Sequence, residues 1–382
     1  MLVNPFGQCE YLLHCYLGIP FVVFTPAMRF PTFNEDIFRV PAPMSYVPGT
    51  MTGFSDDMSL FQRTVNFITR TVLQSIISHY MISSYDTLKE EQGLCPGTSL
   101  LELNRKADLW LVNADVAGDF PLPATPNIIS IGGLMNEPAK PLKPELKMFV
   151  EDHEMNGVIL VSMGSSITLN DKDAYMYINA LGRLPYRVIF RHMENMTHNV
   201  SNHIKIVQWM PQNDLLGHPR TKLFIGHAGL NGIYEALYNA IPMVLIPHGL
   251  DQNDNAVRMC KKGVALCLDR QNLDENKLHD AIVEVLSQKR YKDAAEHWSN
   301  LHKDQPLTPR ERAVFWIEHV LKYGGAHLRP HGFDMNFVQY HTLDVGILIV
   351  AFVTLFVAIV TTCCVKGYKM IAHRTYFKQK QS

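Results

Sequence analysis

The second half of the chain is built from short apolar runs set between polar stretches marked by glycine and proline. GVILVSMGS (157–165), YRVIFR (186–191), IKIVQWM (204–210), KLFIGH (222–227) and PMVLIP (242–247) each read as a buried strand, and residues 172–183 and 230–240 between them carry helical spacing. Buried strands alternating with helices predict an α/β domain with a parallel sheet covered on both faces, which takes its ligands at the carboxyl ends of the strands. The first part is less regular. IPFVVF (19–24) and ADLWLVNAD (107–115) read as strands, and a long helical pattern runs from Asp57 to Ser84. Residues 132–156, with three prolines among lysines, read as a linker between a first domain, 1–131, and a second, 157–323.

A different pattern closes the chain. After a juxtamembrane stretch at 324–344, Val345 to Val365 holds no charged residue, enough to cross a hydrocarbon core of about 30 Å as one helix. Residues 366–382 then carry Lys366, Lys369, Arg374, Lys378 and Lys380 with no acid, so the tail is expected in the cytosol and residues 1–344 on the lumenal side of a single-pass type I membrane protein. Of the 35 basic residues five lie in this tail, against 36 acidic ones overall, which leaves no basic face for nucleic acid. A lumenal domain needs a targeting signal. Met1 is followed by LVNPFGQCEYLLHCYLGIPFVV, with no basic start or cleavage site, so the chain reads as N-terminally incomplete. Five of the seven cysteines precede the span and read as buried thiols rather than a disulfide framework, with no metal spacing among them. Asn195 and Asn199 begin sequons suited to a lumenal surface loop.

The candidate chemistry lies in HAGLNGIYEALYNAIPMVLIPHGLDQNDN (227–255). Gly226 to Gly232 forms a strand-to-helix turn, where glycines admit a close ligand and a helix start offers unpaired N–H groups, an arrangement suited to a diphosphate. Glu235 lies one turn into that helix, where a carboxylate can accept from ribose hydroxyls. Asp251 and Gln252 follow the next strand, an acid beside an amide, as the vicinal hydroxyls of a sugar require.

WMPQNDLLGHP (209–219), HAGLNGIYEA (227–236), IPMVLIP (241–247) and DQNDNAVRM (251–259) together resemble the signature of the UDP-glycosyltransferases, most closely the animal UDP-glucuronosyltransferases. The likeness extends to MSYVPGTMTGFSDDMS (44–59), VSMGS (161–165), HKDQPLTPRERAVFWIEHVLKYGGAHLRP (302–330) and QYHTLDV (339–345), and so covers nearly the whole chain. It implies a GT-B fold, with an acceptor-binding domain (here partial), a nucleotide-sugar domain and a cleft between them. Carried over by position, Trp209 would stack on uracil and Gln212 would bond the nucleoside. Ser165, His227 and Arg191 would meet the diphosphate, Asn231 and Gly232 a phosphate, Glu235 the ribose, and Asp251 with Gln252 the sugar. The resemblance implies inverting transfer from a UDP-sugar co-substrate, with no cofactor and no metal, to a small lipophilic acceptor. UDP-glucuronate is the expected donor and UDP-glucose the alternative, because His248 and Gly249 depart from the family pattern. The family's base is a histidine upstream of Met1, oriented by an aspartate whose position here is Asn4. The chain as written is therefore expected to be inactive, and a UDP-sugar-binding regulatory homologue is the competing reading. Homo- or hetero-oligomers with related transferases are a further expectation. Lys378 and Lys380 match a dilysine retrieval pattern, which implies the endoplasmic reticulum membrane.

Overall fold

A computed structural model describes residues 1–5, 7–26, 40–76, 82–165, 167–193 and 200–379. Met1–Arg329 forms one compact unit and Pro330–Ser382 a second. Within the first lie two parallel sheets. One has the order β1 (Leu2–Val3), β2 (Val22–Thr25), β3 (Leu109–Val112), β4 (Ile128–Ser130). The other runs β10 (Ala265–Cys267), β9 (Met243–Leu245), β8 (Thr221–Gly226), β5 (Val158–Ser162), β6 (Arg187–Arg191), β7 (Ile204–Val207). Every strand pair among the described residues is parallel, and β5, β6, β8 and β9 are apolar and buried at their centres because helices cover both faces, while the edge strand β7 carries the half-buried Lys205.

The helices of the first half are α1 (Gln8–Leu17), α2 (Leu60–Ile76), α3 (Ile82–Glu91) and α4 (Leu100–Arg105). The stretch expected as linker contains α5 (Pro144–Val150), which starts at a proline and buries Val150. Next come α6 (Asp171–Gly182), α7 (Gln212–Leu216), α8 (Leu230–Tyr238), α9 (Gln252–Lys261), α10 (Glu275–Ser287), α11 (Lys289–Lys303) and α12 (Pro309–Tyr323). The expected strands and helices of this half all form, trimmed by a few residues at their ends where loops take over. The strands β1, β4 and β10, two or three residues each, were not foreseen.

α12 opens with a capping box, in which Thr308 and Glu311 satisfy each other's backbone amides, and it packs Ala313 and Val320 against Leu109, Leu111 and Ile131 of the first half. The chain thus returns from the second sheet to the first. A second tie is polar. Asp115, just past β3, receives the Tyr234 hydroxyl at 3.1 Å and the His302 Nδ1 at 2.5 Å, while its own amide donates to the Tyr234 oxygen at 2.9 Å. All three residues are buried, at 8%, 1% and 4% exposure. Gly118 and Gly132 make room for the phenol, whose oxygen a Cβ would approach to 2.3 and 2.4 Å. Nearby, Arg258 and Asp119 form a buried ion pair at 2.8 Å.

Two disulfides correct the expectation of thiols. Cys15–Cys95 joins the end of α1 to the loop after α3, and Cys260–Cys267 joins α9 to β10. Neither pair has a spacing that marks it in sequence, because the partners meet only through the fold.

In the second unit α13 (Phe337–Tyr340) precedes α14 (Leu343–Gln379), in which the most apolar window of Leu343–Ile371 has a mean hydropathy of 2.8 and no buried residue. That length and composition suffice to cross a bilayer.

Burial works to raise the Asp115 carboxyl, but the hydrogen bond and charge of His302, with the Gly118 amide and the Tyr234 hydroxyl, outweigh it and hold the group below its usual value. A carboxyl depressed in the folded state contributes stability that is present above the unfolded value of about 4 and is lost as pH falls through the folded value. Asp115→Asn is therefore expected to lower the unfolding free energy at neutral pH by about 1–3 kcal/mol and to flatten the acid limb of the stability curve, as read by denaturant melts across pH.

Candidate functional site

Strand register sets the site. Ser162 pairs with Arg191 on one side and with Gly226 on the other, and Gly226 pairs with Leu245, so β5, β6, β8 and β9 end level with one another. The loops that leave these ends carry most of the candidates.

After β8 the chain turns sharply. His227 is followed by Ala228 with φ of 63° and by Gly229, the N-cap of α8. The helix forms because Leu230, Ile233, Tyr234 and Leu237 repeat with helical spacing and all face the core. Its first-turn amides, which include Asn231 and Gly232, have no carbonyl to meet within the helix and face the carboxyl edge of the sheet. The His227 ring lies between two glycines. A Cβ at Gly164 would stand 2.6 Å from its Cε1, and one at Gly229 would stand 2.4 Å from its Nε2. Burial pushes its pKa down, with Ser162 and Asp251 opposing, so the imidazole is neutral at pH 7 with one donor and one acceptor nitrogen. Nδ1 is buried and has no hydrogen-bond partner among the described residues.

β5 ends at Ser162, which places Ser165 on the exposed turn beyond it. Arg191, at the end of β6, donates from Nη1 to the Gly164 carbonyl and so braces that turn. Gln212 opens α7 and donates to the Glu235 carboxylate at 2.5 Å, which joins α7 to α8. Burial raises the Glu235 carboxyl, and the Gln212 amide works against that rise. Trp209 precedes α7 with 70% of its surface exposed, a large flat apolar face left open.

Asp251 and Gln252 begin α9. The His248 amide donates to the Gln252 Oε1 at 2.8 Å, and Asn255 Nδ2 donates both to the Asp251 carboxylate at 2.9 Å and to the Ala228 carbonyl at 3.1 Å. Arg258 in turn donates to Asn255 Oδ1 at 3.1 Å. Asn255 and Arg258 were missed in sequence, although their helical offsets of four and seven from Asp251 put them on its face. Asp254 was missed too. It accepts the amides of Met51 at 2.7 Å and Gly53 at 2.8 Å, which docks the 44–59 segment on α9.

Arg191, Gln212, His227, Asn231, Gly232, Glu235, Asp251 and Gln252 thus gather with the Ser165 turn along one edge of the second sheet. Asn4 lies apart, after β1 of the first sheet, where its amide donates to Glu10. Asn195 and Asn199 lie outside the described residues, as does Lys380.

A diphosphate at the α8 turn, a flat base on Trp209 and hydroxyls on Glu235 and Asp251 are what this chemistry can accommodate. The chain is similar to known proteins over most of its length. Residues 1–378 match the family model described as UDP-glucoronosyl and UDP-glucosyl transferase. UDP-glucuronosyltransferase 2C1 of Oryctolagus cuniculus is 37% identical over 373 residues, covering 96% of this chain and 74% of the relative. UDP-glucuronosyltransferase 1A10 of Homo sapiens is 36% identical over 371 residues, covering 97% of this chain and 69% of that protein. Among solved structures, spinosyn forosaminyltransferase SpnP superposes with a TM-score of 0.61 at 13% identity, over 84% of this chain and 76% of that one. A UDP-glucosyltransferase from Polygonum tinctorium gives 0.59 at 17% identity, over 84% and 75%. These neighbours share the two-sheet GT-B fold.

Gly229→Ala forces the His227 ring out of its slot although the backbone at this N-cap tolerates a side chain. Thermal and denaturant unfolding are expected to show a loss of about 1–3 kcal/mol, the range for overpacking a filled site, and an unchanged midpoint would mean that the ring moves freely.

Proposed function

The chain belongs to the UDP-glucuronosyl and UDP-glucosyl transferase family, a family of hexosyltransferases, and from that premise we propose that it moves glucuronic acid from UDP-glucuronate to a hydroxyl of a small lipophilic acceptor, with inversion. The observation that carries the reading is the level ending of four strands, which puts the α8 amides, His227, Glu235 and Asp251 on one side of a cleft. In this reading uracil stacks on Trp209 and bonds Gln212, and the ribose hydroxyls donate to Glu235. The diphosphate is met by His227, the Asn231 side chain, the Gly232 amide and Ser165, with Arg191 acting by holding the turn that presents Ser165. Asp251 and Gln252 take the sugar. A base removes the acceptor's proton, the oxygen bonds to the anomeric carbon, and the bond to the diphosphate breaks as UDP leaves. Glucuronate is favoured over glucose because the relatives similar to this chain over most of its length are named for glucuronosyl transfer.

One observation favours a second reading, a donor-binding regulatory homologue. Asn4 stands where the family places the aspartate that orients the base, and an amide cannot balance a developing imidazolium.

The two disulfides suit an oxidising compartment, and the apolar helix with its basic flank suits a type I anchor, so we place the folded unit in the lumen of the endoplasmic reticulum with glycans at Asn195 and Asn199. Tagged protein carrying Lys378→Ser and Lys380→Ser is expected to move to the cell surface with unchanged topology. Retention of that variant would remove the dilysine role.

Calorimetry on the full chain tests the donor reading without requiring turnover. UDP-glucuronate is expected to bind more tightly than UDP-glucose, and Trp209→Ala to weaken UDP itself by about 1–3 kcal/mol. Equal UDP affinity in the variant would take Trp209 out of the site, and tighter UDP-glucose binding would reverse the donor assignment.

A further inference from the structure

The donor cleft uses the carboxyl ends of the second sheet. At the opposite ends of the same strands is a cavity of about 500 Å³ that the transfer reaction does not use. β8 separates the two places, because Lys222 lies at its start and His227 just beyond its end, roughly 16 Å away along an extended strand. The cavity has an apolar floor of Leu216, Ile241, Pro242 and Val285, with Tyr186 beside it.

Its polar lining is one-sided. Lys222, Lys289, Lys292 and Lys303 all contribute, and no carboxylate does. Two of the four find acids on the helix they share. Lys289 meets Asp293 at 2.9 Å, and Lys292 meets Glu296 at 3.3 Å while also donating to the Ala240 carbonyl at 2.8 Å. Lys222 and Lys303 have no ion pair among the described residues. Lys222 reaches only the Pro219 carbonyl, at 3.5 Å, and its stem lies against Gly157, where a Cβ would stand 2.6 Å from its Cγ. Lys303 sits over the Tyr238 ring at 4.3 Å, and burial pushes its pKa down. Lys222 and Lys303, both exposed, leave positive charge without an ion-paired carboxylate among the described residues beside an apolar floor, and an anion that brings its own apolar surface complements both features.

We propose that this cavity is a second ligand site, distinct from the donor cleft, for a small amphipathic organic anion with an aromatic or acyl body and a phosphate, sulfate or carboxylate group held by Lys222 and Lys303. A volume of this size is within the range of small-molecule pockets and matches a body of one or two rings.

The probe is 1-naphthyl phosphate, titrated by calorimetry into the full chain in lipid nanodiscs with UDP at saturation and empty discs as reference. Saturable binding is expected, with 1-naphthol and inorganic phosphate each at least about tenfold weaker. Lys222→Glu with Lys303→Glu is expected to weaken the probe about tenfold or more and to leave UDP affinity unchanged. Should the reversed pair fail to fold, Lys222→Gln with Lys303→Gln carries the same expectation. Displacement of the probe by UDP, binding of 1-naphthol as tight as that of the phosphate, or unchanged probe affinity in the folded lysine variant would each overturn the proposal. Because UDP binding is measured in parallel, failure here is distinguishable from failure of the donor site.

Discussion

The carboxylate of Asp115 is the point on which the two sheets depend. It is buried, so it must be satisfied entirely by protein groups, and the structure meets that demand with a phenol from α8, an imidazole from α11 and the amides of its own turn. The consequence reaches the cleft, because Tyr234 lies on the same helix as Asn231, Gly232 and Glu235. The helix proposed to hold phosphate and ribose is therefore anchored to the first sheet from behind. The Arg258–Asp119 pair and the Asp254 contacts to Met51 and Gly53 add ties from α9, so both helices that frame the donor side have roots in the first half of the chain.

Burial governs the chemistry of the edge as well. His227, Glu235 and Asp254 each lose solvent, and each has its pKa moved toward the neutral form, the histidine downward and the two carboxyls upward. The hydrogen-bond donors to the two carboxylates are the Gln212 amide for Glu235 and the backbone N–H groups of Met51 and Gly53 for Asp254, while charges at Asp251 and Arg258 act on His227 and Asp254 respectively.

The fold was legible where its signal is local. Five apolar runs gave five strands of the second sheet, and the glycines around His227 marked a strand-to-helix turn that the structure places at the level strand ends. The illegible parts are long-range. Cys15 and Cys95 are 80 residues apart, Asp115 and His302 are 187 apart, and Asp254 reaches back 203 residues to Met51, so no local window of sequence contains any of these three pairs. The acid and amide pair Asp251–Gln252 stood out by type. Its brace Asn255 did not, because an asparagine within a helix has no period of its own, and only the fold shows its amide spanning two loops.

The slot that confines His227 bears on how such a site can drift. Gly164 has φ of 72° and Gly229 borders the ring from the other side, so either glycine accepts a side chain only if the imidazole gives way to something smaller. Three positions from two separate loops are in this sense a single character. Stepwise replacement of one member passes through an overfilled or an emptied intermediate, so the trio is expected to be inherited whole, a steric constraint that the exposed Ser165 and Trp209 do not share.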